Sequence, residues 1–154
     1  MAGVNRSTFY NNFRDIYDLA NKILDRIDEE FFQELKKIEN IGINRETYTF
    51  VFGFVKDHKE TYRLHFILNR KEKTENYLQQ EIRKKINEQV SDKAKAEYLL
   101  TYFVIGANGI MKKWIEEGCV VSIETMVDII LECYPLWYGP GIMREVKYSV
   151  SPLS

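Results

Sequence analysis

The sequence predicts an all-α protein, a partial helix-turn-helix head followed by a helical-bundle body, and three observations carry this prediction. Apolar residues recur at intervals of three and four from Ile16 to Ile38, which is the period of one helix face. In 78–90 the apolar residues step by four. The one segment with strand-like alternation, 47–55, has no evident partner strand.

That segment has two readings. Tyr48, Phe50, Phe52 and Phe54 alternate with other residues, so periodicity and β propensity alone allow a strand. A lone strand leaves its backbone groups without hydrogen-bond partners. We therefore predict a buried helix that is apolar nearly all round.

Composition sets bounds on function. The 154 residues suffice for one domain with a real core, and the net charge of −1 gives no global basic field for nucleic acid. Any DNA contact must come from a local patch. Ten tyrosines and nine phenylalanines predict an aromatic-rich core or pocket.

Several function classes find no support in the residues. Cys119 and Cys133 lie far apart without metal-ligand spacing, which argues against a metal site and predicts reduced thiols in a cytoplasmic protein. His58 and His65 lack a catalytic arrangement, so no enzyme activity and no cofactor are predicted. No apolar run of about 18 residues is present, so we expect no membrane helix.

The first residues have the pattern of a DNA-reading element. Gly3 suits a sharp turn, Asn5 can cap a helix, and Phe9 and Phe13 fall on one face of that helix. The opposite face is polar or basic, as the second half of a helix-turn-helix requires. Its candidate DNA-binding residues are Asn5, Arg6, Ser7, Thr8, Tyr10, Asn11, Asn12 and Arg14. Such a face can donate hydrogen bonds to phosphate oxygens and can contact base edges.

The stretch Gly-Val-Asn-Arg-Ser-Thr-Phe-Tyr-Asn-Asn-Phe resembles the turn and recognition helix of the TetR family of bacterial transcriptional regulators. The following Arg-Asp-Ile-Tyr-Asp-Leu resembles the start of that family's long connecting helix, and 102–126 resembles its last two helices. The resemblance implies a ligand-responsive repressor that binds a palindromic operator as a homodimer. In such a protein, an effector in the body shifts the connecting helix and changes the spacing of the two heads.

The resemblance has one departure. Only Met1 and Ala2 precede Gly3, so the given sequence lacks counterparts of the family's first helix and most of its second. Two expectations follow: the chain is a fragment or a mis-started reading frame, or the protein does without a complete DNA-binding domain. The competing expectation is a dimeric small-molecule-sensing module, derived from a truncated regulator, that does not bind DNA.

These patterns divide the chain into a head remnant over 1–14, a ligand-binding and dimerisation body over 15–134, and a tail over 135–154. In the body, Asp15 is expected to cap the first helix and Gly42 to end it. The expected helices cover 15–39, 47–55, 61–68, 78–90, 91 or 92 to 117, and 122 to about 133, with 69–76 as a connection and Pro135 as the final stop. Within the last of these, Met126, Ile129, Ile130 and Cys133 form the expected apolar stripe.

Two further sites are predicted in the body. An effector pocket is expected from Phe50, Phe54, Tyr62, His65, Phe66 and Tyr102, with a filled core of the same residues as the alternative. A two-fold dimer interface is expected from Gly106, Gly109, Ile110, Trp114, Met126 and Ile130, with packing inside one chain as the alternative.

Overall fold

A computed structural model describes residues 2–68 and 77–134, and of residues 2–13 only the backbone. The described residues form six helices and no strand, which confirms the all-α prediction for this part of the chain. The helices are α1 (Ala2–Leu35), α2 (Arg45–Asp57), α3 (Lys59–Ile67), α4 (Tyr77–Gln89), α5 (Lys93–Glu116) and α6 (Ile123–Glu132). The predictions for 69–76, for Pro135 and for the tail lie outside the described residues.

Helix α1 corrects the prediction for the N-terminal part of the chain. It runs from Ala2 to Leu35 without a break, so there is no turn at Gly3, and Asp15 lies inside the helix rather than capping it. The predicted boundary between residues 14 and 15 falls within this helix. Residues 14–19 are all exposed, and Ala20 is the first buried residue. Along this exposed stretch the backbone follows the i→i−4 hydrogen bonds of the helix itself.

The apolar stripe of α1 is also only partly as predicted. Leu35 is fully buried and Phe31 half-buried, but Ile16, Leu19 and Ile23 are exposed. In this half of the helix, Ala20 and Leu24 face the body instead.

The loop after α1 is held by Thr47, which is fully buried. Its hydroxyl accepts a hydrogen bond from the Gly42 backbone N–H at 3.2 Å. The Asn44 side chain accepts from the Thr47 N–H at 2.9 Å and caps α2. Gly42 therefore belongs to this buried loop and does not end α1, since that helix ends seven residues earlier, at Leu35.

Helix α2 confirms the helical reading of the strand-like segment. Its buried residues are Thr47, Tyr48, Val51, Phe52 and Val55, at helical spacing. This face packs mainly against α6, and an ion pair between Arg45 and Asp128 at 2.5 Å also joins the two helices. Such an exposed pair contributes little to stability, so apolar packing holds the two helices together.

The ends of α5 and the start of α6 follow local signals in the sequence. Asp92 caps α5 by accepting from the Lys95 N–H at 3.1 Å. At the other end Gly118 has φ +80°, and its N–H donates to the Ile115 carbonyl at 3.0 Å. Cys119 donates back to the Trp114 carbonyl at 2.8 Å, which completes a Schellman motif. The predicted ends at Asp92 and Gly118 are confirmed, as is the cap of α6 at Ser122.

The core is built where α2, α5 and α6 meet. Phe52 is fully buried and meets the Trp114 ring edge-on, with 5.3 Å between ring centroids. Trp114 also donates its indole N–H to the Val121 carbonyl at 2.8 Å. Helix α4 adds Ile82 and Ile86 from the far side of α5. In α6 the buried stripe is Met126, Val127 and Ile130. Cys133 is exposed, which corrects its place in the predicted stripe.

Candidate functional site

A cluster of five aromatic side chains lies where α1, α2 and α3 meet. The Phe31 ring lies 5.4 Å from the Phe50 ring and 5.3 Å from the Phe54 ring, centroid to centroid. Phe50 and Phe54 are 5.8 Å apart, and Phe54 lies 6.5 Å from Tyr62. His58 stacks on Phe54 at 4.3 Å. We call these five residues the aromatic cluster.

Every member of the aromatic cluster is half-buried rather than enclosed. Helix α3, which contributes Tyr62, has no buried residue at all. A core usually hides its rings, because each buried aromatic side chain removes a large apolar area from water. Phe31, Phe50 and Tyr62 pack against the core, and each keeps part of its surface in water, where a flat apolar molecule could contact it.

His58 holds a fixed position at the break between α2 and α3. Its backbone N–H donates to the Phe54 carbonyl at 3.1 Å, and its ring Nδ1 lies 2.9 Å from the same oxygen. The stacked Phe54 ring, tilted by only 26°, limits rotation of the imidazole further. The ring is therefore restrained on one face and at one nitrogen.

The predicted pocket residues divide into three groups. Phe50, Phe54 and Tyr62 lie together in the aromatic cluster. His65 and Phe66 contact each other at 5.6 Å, one turn further along the chain. Tyr102 is 73% exposed on α5 and makes no ring contact with the cluster among the described residues, so the structure does not bring it together with the other predicted pocket residues.

Sequence reasoning missed Phe31 and His58 as members of this cluster. The signal for His58 was present, since Phe50, Phe54, His58, Tyr62 and Phe66 follow one another at intervals of four. Residues four apart share a helix face. Phe31 lies 19 residues before Phe50 in the sequence, and no local pattern connects the two.

A second surface lies on the outward side of α5. Tyr98, Tyr102 and Ile105 are 79%, 73% and 68% exposed. Together with Gly109 they recur at intervals of four, three and four, which is the spacing of a helix–helix contact stripe. A Cβ added at Gly109 would meet no atom within 4 Å. We call these four residues the α5 outer face.

Half of the predicted dimer-interface residues lie in the core of the chain. Trp114, Met126 and Ile130 are buried in the chain's own core and have almost no surface left for a partner. Ile110 is half-buried against that core, whereas Gly106 and Gly109 are exposed. The physical reason is that α5 is apolar on two sides, and the side bearing Trp114 packs inward.

The predicted DNA-binding residues fall on the first turns of α1. The backbone of Asn5, Arg6, Ser7, Thr8, Tyr10, Asn11 and Asn12 is helical, but their side chains lie outside the described residues. Arg14 is exposed. These residues therefore share one helix with Phe31 of the aromatic cluster.

Of the two cysteines, Cys119 is buried in the described core. Burial raises the pKa of the Cys119 thiol, although the positive charges of Lys59 and Lys56 act in the opposite direction. A thiol held protonated is a poor nucleophile. The described residues contain no group of three or more metal-ligating side chains, and none of the described helices meets the length and hydropathy of a membrane span.

Comparison with known proteins adds one finding. Residues 45–134 match a family model described as the C-terminal region of transcriptional regulators, of the TetR type. The match covers more than half of the chain, from the first residue of α2 through Tyr134, and α1 lies before it. Neither the curated proteins nor the solved structures give a match.

Proposed function

The chain belongs to the TetR family of transcriptional regulators, a family typically without enzymatic activity, and we propose that it acts as a ligand-responsive, homodimeric repressor. In this proposal the effector binds the aromatic cluster, the α5 outer face joins two copies, and the first turns of α1 contact DNA. One observation carries it: α1 runs unbroken from the residues that resemble a recognition helix to Phe31 in the aromatic cluster.

That continuity gives a mechanical route between the two ends of α1. Thr8 and Phe31 are separated by 23 positions, or about 35 Å at the helical rise of 1.5 Å per residue. A tilt of about 10° at Phe31 would move the start of the helix by about 6 Å over that length. An effector that binds one tilt better than the other would shift the population between them.

This shift would begin at the aromatic cluster, where α1, α2 and α3 meet. Phe31 contacts Phe50 and Phe54, and Tyr62 brings α3 to the same cluster. Because α3 has only half-buried or exposed residues, moving it costs less packing energy than moving a helix with fully buried side chains, although Tyr62 and Phe66 pack against the core. An effector between these rings would contact all three helices.

The α5 outer face supports the dimer. Exposed tyrosine and isoleucine side chains in a continuous stripe are costly to leave in water, and a second copy of the same stripe can cover them. Gly109 at the end of the stripe allows two backbones to approach. The ion pair between Lys112 and Glu116 comes just after it and supplies a polar rim.

The dimer is tested with two matched substitutions. Ile105→Glu puts a charge in the α5 outer face, and Ile67→Glu puts the same charge at an equally exposed position, 68% against 72%, on α3. Sedimentation equilibrium should show at least tenfold weaker association for Ile105→Glu and no change for Ile67→Glu. Equal behaviour of both variants, or a monomeric parent, would remove the dimer from the proposal.

DNA binding is tested with this chain and the DNA upstream of its own gene. Specific binding whose affinity falls steeply with salt would support phosphate contacts. Arg6→Ala should reduce the salt slope by about 1, because one phosphate contact is lost. Arg26→Ala is the control, since Arg26 lies on the same helix but pairs with Glu30 at 3.2 Å. A clean dimer that binds no DNA would favour the competing function, a sensing module without a working head.

A further inference from the structure

The position of His58 in the aromatic cluster indicates which chemical class of effector the cluster would bind. We propose that the effector is a flat aromatic molecule carrying a hydrogen-bond donor, and that His58 Nε2 is the acceptor that selects it. This inference rests on the proposed effector site and adds a specificity-determining residue to it.

The first step concerns which nitrogen of His58 carries hydrogen. Nδ1 lies 2.9 Å from the Phe54 carbonyl oxygen. A carbonyl oxygen only accepts hydrogen bonds, so Nδ1 must donate. In the neutral imidazole the other nitrogen, Nε2, then has a free lone pair and acts as an acceptor.

The second step concerns whether that acceptor is already used. Among the described residues, none forms a hydrogen bond with Nε2, and the ring is half-buried at the edge of the aromatic cluster. The imidazole cannot easily turn away, because it is stacked on Phe54 at 4.3 Å and bonded through Nδ1. A restrained acceptor beside aromatic faces suits a ligand that offers both a ring and a donor.

The third step concerns the shape of the ligand. Phe31 meets Phe54 edge-on at 5.3 Å, while His58 meets Phe54 face to face. Such an arrangement presents both ring faces and ring edges, and another aromatic ring can pair favourably with either. A saturated chain gains only the contact area, so the cluster favours a flat ring.

Phenol and anisole are the probes for this proposal. They share the same ring and oxygen, but only phenol can donate a hydrogen bond. His58→Phe is the variant, because it keeps an aromatic ring beside Phe54 and removes Nε2. The Phe54 carbonyl keeps the backbone N–H of residue 58 as a donor, so the variant creates no unsatisfied group there.

Dissociation constants are measured by NMR titration of the parent and the variant with each probe, following aromatic side-chain signals of the cluster. His58→Phe should weaken phenol binding about fivefold, as expected for one neutral hydrogen bond, and leave anisole binding unchanged within twofold. Circular dichroism checks that the variant has the parent's helix content.

The outcomes separate the two levels of the proposal. If both probes bind and His58→Phe affects them equally, the donor requirement is wrong while the effector site stands. If neither probe shifts any cluster signal at millimolar concentration, the inference and the effector site both fail. The effector site and the donor requirement are both supported if Phe31→Leu weakens the binding of both probes and His58→Phe weakens the binding of phenol alone.

Discussion

The two glycines Gly118 and Gly53 give a sharp test of the fold, because the same substitution should have opposite effects at each. Gly118 ends α5 with φ +80°, a left-handed conformation that L residues rarely adopt. Gly53 lies inside α2 with ordinary helical backbone. A Cβ added at either position meets no atom within 4 Å. The added methyl group therefore meets no neighbouring residue at either position, and the two positions differ only in their backbone conformation.

The magnitudes follow from that difference. Gly118→Ala should destabilise the fold by about 1–2 kcal/mol, since a left-handed alanine costs that much. Gly53→Ala should stabilise it by about 1 kcal/mol, because alanine has the higher helix propensity. For a chain of this size, the two changes correspond to melting temperatures about 2–8 °C below and about 2–4 °C above the parent.

Thermal and urea unfolding, followed by circular dichroism, measure both effects. All proteins are compared at one concentration, because self-association also raises apparent stability. If Gly118→Ala were as stable as the parent, the Schellman end of α5 would be wrong. If Gly53→Ala lost stability, α2 would not run through residue 53 as a helix.

Three further predictions follow from named contacts. Gly109→Ala should raise the stability of the monomer by about 1 kcal/mol, which unfolding at low protein concentration measures. The same substitution should weaken the dimer, which sedimentation measures. A strengthened dimer would contradict the close approach of two backbones at that glycine. Burial raises the pKa of Tyr48, so the folded state keeps a proton that the unfolded state releases above about pH 10. The contribution of Tyr48 to the free energy of unfolding is thus complete below that pH and falls above it. Tyr48→Phe should therefore reduce the loss of stability between neutral and alkaline pH in a pH–stability curve. An unchanged loss of stability would refute this. Ser122→Ala should cost about 1 kcal/mol in urea unfolding by removing the cap of α6, whereas Ser122→Asp should keep most of that stability.

The elements that the sequence predicts well are those with local causes. Asp92, Gly118 and Ser122 act on backbone groups only a few residues away, so their roles can be read from the chain. The helical reading of α2 needed one further argument, that a lone strand cannot satisfy its backbone. That argument held because it applies to any compact fold.

The errors arise where the outcome depends on tertiary contacts. A turn at Gly3 needs neighbouring elements to hold it, whereas residues 14–19 of α1 are exposed and α1 is a continuous helix from Ala2. In α5 both sides are apolar, and periodicity does not say which side faces the core. Trp114 packs inward and Tyr102 outward because only one side meets α2 and α6.

The distribution of packing suggests why the proposed effector site and the proposed dimer interface lie on different faces. The residues shared by α2, α5 and α6 include the most buried side chains, among them Phe52, Trp114 and Val127. A dimer built on the other side of α5 would rest on this well-packed half, which resists deformation. Helix α3 has no fully buried residue, and the described side chains of α1 that are buried are few, so the half that contains the aromatic cluster can change at lower free-energy cost. An effector bound there would therefore move α1 against a dimer that stays fixed, and this relative movement is what a change in head spacing requires.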